Sequence, residues 1–295
     1  MPESITDTTF AAHDGYNLAA TAYVPNRPLR AAVVINSATA VPRRIYRGFA
    51  TYLAERDFAV LTYDYRGVAE SRPESLVGFP ARMRDWIALD APAALDHVRT
   101  LWPAVPLCAV GHSVGGHAIG LAANNSSISR ALLVAAQAGY WRLFRTPENY
   151  RVLAMMNLGR LVTRLAGYTP GWTGIGEDLP KEVYLEWARW VMSRRYFFDD
   201  PTLEELANFP RYRGALCAIG IDDDPWATPV AIDLLLTGFT GTKPERRQID
   251  PRALGSGPIG HFGFFRPIHR DTLWRQAADW LAGRDLMFSR SNTHA

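Results

Sequence analysis

Short, unbroken apolar runs punctuate the chain at 31–35, 58–63, 105–110, 131–135 and 215–221. Runs of this length, bounded by turn-forming residues, predict strands buried on both faces. Between them, apolar positions recur at helical spacing. One such stretch carries Tyr46, Phe49, Ala50 and Leu53, and a longer one over 82–101 carries Trp86, Ile87, Leu89, Ala93, Leu95 and Val98. Further helices are predicted directly after Ser113, near 227–237, and where Leu273, Trp274, Ala277, Trp280 and Leu281 share a face. Strands that alternate with helices imply an α/β fold, a mainly parallel sheet covered on both sides. Ahead of the first run, residues 5–24 predict a hairpin about Asp14-Gly15, a favoured tight-turn pair. Glu245–Ile249 reads as an edge strand.

The alternation stops between residues 140 and 210. Large apolar side chains crowd this segment, among them Trp141, Phe144, Met155, Met156, Trp187, Trp190 and Tyr196. It reads as two or three helices broken at Pro170-Gly171 and over 174–180. The expectation is a single α/β domain, 1–139 and 211–295, with 140–210 inserted as a helical lid.

Composition narrows the class. Of the 295 residues, 48% are apolar and 21% charged, as for a globular protein with a large core. The net charge is +3 without a long run of one sign, which argues against nucleic acid or a membrane surface as partner. Arg43, Arg44 and Arg47 form the nearest approach to a basic cluster and read as a solvated helix start. Cys108 and Cys217 each lie in a strand-like apolar run and are expected to be small buried hydrophobes, not a disulfide or a metal site. The first residues show no leader pattern, and no apolar stretch nears the roughly 20 residues that span a bilayer, so a cytoplasmic protein is expected. The last ten residues are polar and expected to fray.

Candidate chemistry centres on Gly111-His112-Ser113-Val114-Gly115. Gly-x-Ser-x-Gly is a weak motif alone, but here it follows a buried strand and opens a helix, as a nucleophile elbow requires. The plainer reading is a Gly-rich turn with the serine as helix N-cap. A serine hydroxyl needs a base, and the base an orienting acid. Asp222-Asp223-Asp224-Pro225 ends a predicted strand, and His261 lies in a Gly-rich loop before the last helix. Asp224 is the favoured acid, with Asp223 close behind and Asp250 remote; Asp222 is expected at the surface. The other histidines, His13, His97, His112, His117, His269 and His294, are expected to be structural or exposed. Oxyanion donors should be the N–H of Val114 and one from Asn36-Ser37-Ala38-Thr39, with Ala38 favoured.

These pieces resemble the α/β-hydrolase superfamily. Besides the elbow, the matches are Asp224-Pro225, Gly260-His261-Phe262, and Asp64-Tyr65-Arg66-Gly67-Val68-Ala69-Glu70-Ser71, which is similar to the family's Asp-x-Arg-Gly-x-Gly-x-Ser segment. Two positions depart from it. Asn36-Ser37 stands where the family commonly has His-Gly, and Ala69 where it has its second glycine. The resemblance implies acyl chemistry on a Ser113–His261–Asp224 triad, with no cofactor or metal. The expected substrate is a small, apolar carboxylic ester. A thioesterase or acyltransferase would use the same triad, and a non-catalytic binding protein on this fold is the more distant alternative. The oligomeric state is not readable.

Overall fold

The computed structural model describes residues 4–284, so the last ten residues, His294 among them, lie outside the described residues. Strands β1 (Ser4–Ala11) and β2 (Asn17–Val24) pair antiparallel as the hairpin expected. Its turn places Gly15 at φ +86°, a region that suits glycine. β3 (Ala31–Asn36), α1 (Arg47–Ala54) and β4 (Phe58–Tyr63) follow. The long helical stretch comprises α2 (Met83–Asp85), a wide turn over Trp86–Asp90 and α3 (Ala91–Leu101). β5 (Leu107–His112) leads into α4 (Val114–Leu121), and β6 (Ile128–Val134) completes this half.

The segment after β6 contains α5 (Glu148–Ala166), the two-residue strands β7 (Tyr168–Thr169) and β8 (Leu179–Pro180), and α6 (Lys181–Val191). The breaks fall where the Pro and Gly residues predicted them, but β7 and β8 pair with each other, a small sheet the sequence pattern did not suggest. The chain then re-enters the main sheet through β9 (Ala215–Ile221), α7 (Pro229–Leu236), β10 (Glu245–Ile249) and α8 (Arg275–Leu281).

Eight strands form one sheet in the order β1-β2-β4-β3-β5-β6-β9-β10. Only the β1–β2 and β2–β4 pairings are antiparallel. Every residue of β3, β4 and β5 is buried, which explains their unbroken apolar runs: helices cover both faces. β10 lies at an edge, where the charged side chains of Arg246 and Arg247 disfavour pairing with another strand. Because β3, β5, β6 and β9 run parallel, the loops after all four open at the same side of the sheet.

Two local expectations need correction. The strand expected at 105–110 runs from Leu107 to His112. Pro106 has no N–H for the ladder, whereas Gly111 and His112 continue it against Leu133 and Val134. Arg43 is not solvated. It is buried and forms an ion pair with Asp64 and a second one, 2.7 Å long, with Glu70. Its backbone N–H also donates to Asp64 at 2.6 Å, so Asp64, the first residue of the arginine segment, pins the start of the 3-10 turn Arg43–Tyr46 that follows the β3 loop. Ala69, where the family has glycine, sits at φ +45°, in the left-handed region that favours glycine. Cys108 and Cys217 are both buried free thiols, and burial pushes each up to about 12.

Candidate active site

Ser113 occupies the turn between β5 and α4 with φ 52° and ψ −118°, a strained conformation for a residue with a side chain. The strain persists because its surroundings fix it. Ser113 N–H donates to Val134 O at 3.0 Å, extending the β5–β6 ladder by one residue, and Ser113 O accepts from Gly116 N–H at 2.9 Å. Glycine is needed on both flanks for room. A Cβ on Gly115 would stand 2.1 Å from Asn36 O, and one on Gly111 would stand 2.5 Å from Gly115 O. The Ser113 side chain makes no capping hydrogen bond to the helix, so the plain N-cap reading does not describe it. Val114 opens α4, where a helix N–H has no intrahelical acceptor.

The loop after β9 presents three consecutive aspartates in three settings. Asp224 is fully buried, and its Oδ2 lies 2.7 Å from His261 Nδ1. Its Oδ1 accepts the N–H groups of Trp226 at 2.8 Å and Ala227 at 3.1 Å. Burial alone would raise this carboxyl. The charge and hydrogen bond of His261, with the two N–H donors, hold it below the ordinary carboxylate value instead. Asp223 clasps the histidine loop by its backbone, accepting Ile259 N–H and Gly260 N–H at 2.8 Å each. Asp222 is half-buried beside Asp250, whose carboxylate caps Arg252 N–H at 2.9 Å.

A cavity of about 480 Å3 opens in front of these loops. Ala38 and Thr39 from the β3 loop, Ser113 and Val114 from the elbow, and His261 all line it. Its outer wall is apolar and comes largely from 140–210, including Phe144, Val152, Met155, Met156, Trp187 and Val191. The turn between β7 and β8 closes over one side. Glu177 N–H donates to Ala40 O at 3.0 Å, and Glu177 pairs with Arg44 at 2.8 Å.

The structure thus gathers Ser113, His261, Ala38 and Val114 around one cavity, with Asp224 behind the imidazole. One expected donor is already engaged: Ala38 N–H donates to the Tyr46 hydroxyl at 2.9 Å. His112 is a structural residue, as expected. It is fully buried, with Nδ1 2.8 Å from Tyr46 Oη and Nε2 2.9 Å from the carbonyl oxygen of His261. Burial and the nearby His261 push it down to about 3, so it is neutral. His117 lines the cavity, bonds the Gln137 carbonyl at 2.7 Å, and is pushed down to about 4 by burial. His13 pairs with Asp96, His97 stacks on Phe10, and His269 is buried near the last helix; none of the three lines the cavity. Tyr46 could not be read from the sequence, because its apolar neighbours marked only a helix face. Among the described residues, no helix is long and apolar enough to cross a membrane.

Comparison with known proteins agrees with this architecture. The chain resembles a soluble variant of a monoglyceride lipase from Saccharomyces cerevisiae, solved with a substrate analogue: TM-score 0.65, 12% identity, 95% of each chain covered. It resembles an esterase from Exiguobacterium antarcticum at TM-score 0.59 and 13% identity, covering 94% of this chain and 99% of that one. A thermostable carboxyl esterase from Bacillus coagulans gives TM-score 0.58 at 15% identity, with 95% and 98% covered. At these identities the likeness concerns the fold. A search of curated sequences gave no match. The model of the family described as serine aminopeptidase, S33, matches residues 27–182, which include β3, the arginine segment and the elbow but end before Asp224 and His261. That match spans more than half of the chain, and with the parallel eight-stranded sheet it establishes that the protein belongs to the S33 serine hydrolase family and is a serine hydrolase of the α/β-hydrolase fold.

Proposed function

We propose that the protein hydrolyses a carboxylic ester through an acyl-enzyme, with Ser113 as nucleophile, His261 as general base and Asp224 as the orienting acid. The observation that carries this reading is the 2.7 Å contact between His261 Nδ1 and buried Asp224, at a loop that lines the same cavity as Ser113. Asp224 accepts from Nδ1–H, which leaves Nε2 as the basic nitrogen. Ser113 Oγ bonds to the acyl carbon while its proton passes to His261 Nε2 and the carbonyl π pair moves onto oxygen. The resulting oxyanion is met by Val114 N–H and by the loop at Ala38–Thr39. Collapse expels the alcohol, which takes the proton from His261. Water then repeats the sequence on the acyl-enzyme, with His261 again as base.

Residues 140–210 act in this reading as a lid over the site. Their apolar side chains favour a small molecule with an apolar acyl or alcohol part and exclude water from the acyl-enzyme. The esterases and the lipase among the similar structures support ester over thioester as the bond cleaved. The test is a series of p-nitrophenyl esters and acyl thioesters of increasing chain length, run beside labelling with a fluorophosphonate. The wild type should cleave the esters faster and be labelled at Ser113, and Ser113→Ala should lose at least about 10³-fold in activity. Undiminished ester cleavage by Ser113→Ala would refute the proposal.

A further inference from the structure

Three polar side chains stand in the apolar wall of the cavity that the acyl-transfer steps do not use. His117, on α4, lines it one helical turn after Ser113, about 5–6 Å from the nucleophile at that spacing. The Gln137 carbonyl oxygen can only accept, so His117 Nε2, 2.7 Å away, carries the hydrogen. His117 is neutral, which makes Nδ1 an acceptor, and this atom has no partner among the described residues. Gln137 also lines the cavity. Its Oε1 is enclosed and unpaired, so the end of the carboxamide that can meet an occupant is Nε2, a donor.

Tyr196 is the third. Its ring lies 5.4 Å from that of His117 and covers Gly139, where a Cβ would stand 3.1 Å from it. Its backbone takes φ +58°, which a bulky residue adopts only where its surroundings impose it, and such strain gathers at functional sites. Burial pushes the hydroxyl well above its ordinary value, against the opposing hydrogen bond from the Trp187 indole, so it stays a donor. The hydroxyls of Tyr52 and Tyr65 are enclosed, but that of Tyr196, like His117 Nδ1 and Gln137 Nε2, keeps a face open to the cavity. Buried polar groups are almost always paired, and for these three the remaining source of a partner is the cavity's occupant. Arg44 and Glu177, the basic and acidic side chains that line the cavity, pair with each other at 2.8 Å, so the group to be met is neutral. A single neutral atom that accepts from an amide and a phenol and donates to an imidazole is a hydroxyl oxygen.

That hydroxyl belongs to the acyl part of the substrate. The departing alcohol must face His261 to take its proton, and the rings flanking His261 are those of Trp226 and Phe262, at 4.9 and 5.1 Å. His117 packs instead on Tyr196 and Phe197. We propose that His117, Gln137 and Tyr196 are specificity-determining residues that bind a hydroxyl on the acyl chain, within a few carbons of the scissile carbonyl, so that the substrate class is a hydroxyacyl ester. His117 Nδ1 accepts the hydroxyl's hydrogen, while Gln137 Nε2 and Tyr196 Oη donate to its oxygen. The inference rests on the ester-hydrolase reading with Ser113 as nucleophile.

The experiment compares kcat/KM for ethyl butanoate with that for ethyl 2- and 3-hydroxybutanoate, each enantiomer separately, by titrating the acid released. The wild type should prefer the best hydroxy ester over ethyl butanoate by about tenfold or more. Tyr196→Phe and Gln137→Leu should each shrink that ratio at least about threefold, whatever either does to the rate on the plain ester, and each should still be labelled at Ser113 by a fluorophosphonate. A wild type that cleaves the plain ester as fast as the hydroxy esters overturns the proposal, and so does a ratio unmoved in both variants. A wild type neither labelled at Ser113 nor active on any of these esters refutes the nucleophile reading itself. A labelled, active wild type indifferent to the hydroxyl overturns the subsite alone.

Discussion

Acid should destabilise this protein well above the carboxylate range, and His117 offers a clean test of the cause. His117 is buried on α4, with Nε2 2.7 Å from the Gln137 carbonyl and its ring against Tyr196 and Phe197. Burial depresses it from 6.5 to about 4. A depressed value means that the folded state resists a proton the unfolded chain accepts. The stabilisation is therefore complete above pH ~6.5 and is lost as pH falls toward ~4. At pH 5 the unfolded histidine lies about 1.5 units below its midpoint while the folded one is still neutral, a penalty of about 2 kcal/mol. His112, depressed to about 3, adds a similar amount at that pH. Half-buried His97 and buried His269 are shifted in the same direction. The two histidines together should cost the wild type about 4 kcal/mol between pH 7 and pH 5, partly offset by Asp90, whose buried carboxyl is raised to about 6 and gains a proton over the same range. His117→Gln keeps an amide donor for the Gln137 carbonyl and does not titrate. Urea unfolding at pH 7, 6 and 5 should show the variant losing about 2 kcal/mol less than wild type over that range, whatever its stability at pH 7. Equal losses in the two proteins would refute the assignment of this proton to His117.

Other expectations follow from the same contacts. Asp224→Asn should reduce kcat on the order of 10³–10⁴-fold, because the amide favours the wrong His261 tautomer, whereas Asp223→Asn should cost about tenfold or less, since Asp223 touches only backbone N–H groups. The reverse ranking in steady-state kinetics would exchange the two roles. Ala69→Gly should raise stability by about 1 kcal/mol by removing the strain at φ +45°, and thermal unfolding should shift upward by about 2 °C. A downward shift would mean that the Ala69 methyl contributes packing that outweighs the strain.

Much of the scaffold was legible in the sequence, because its signals are local. Buried parallel strands must be continuously apolar, and a strand-to-helix turn around a strained serine must be flanked by glycine. The spacing of Gly111, Ser113 and Gly115 therefore announced the elbow before any contact was known. Chain order likewise nominated Asp224 and His261, since loops after parallel strands open at one edge. The choice among Asp222, Asp223 and Asp224 was different. Three adjacent carboxylates share one local sequence, and only the path of the loop 37 residues later decides which one meets an imidazole and which one meets backbone N–H groups.

Tertiary structure alone decided the rest. Arg43 looked like surface charge because the carboxylate that buries it, Asp64, is 21 residues away. Tyr46 read as one apolar position on a helix, and His112 as a structural or exposed histidine. Their hydrogen bonds to Ala38, to each other and to the His261 carbonyl span up to 149 residues of chain. Hydrophobic periodicity records which face of an element is buried. It does not record which hydroxyl, amide or ring nitrogen that face meets. For this protein the sequence determined the sheet, the elbow and the order of the reacting groups. The folded chain decided which N–H groups are spent on the core and which are left facing the cavity, because a hydrogen bond depends on the angstrom-scale approach of elements distant in sequence.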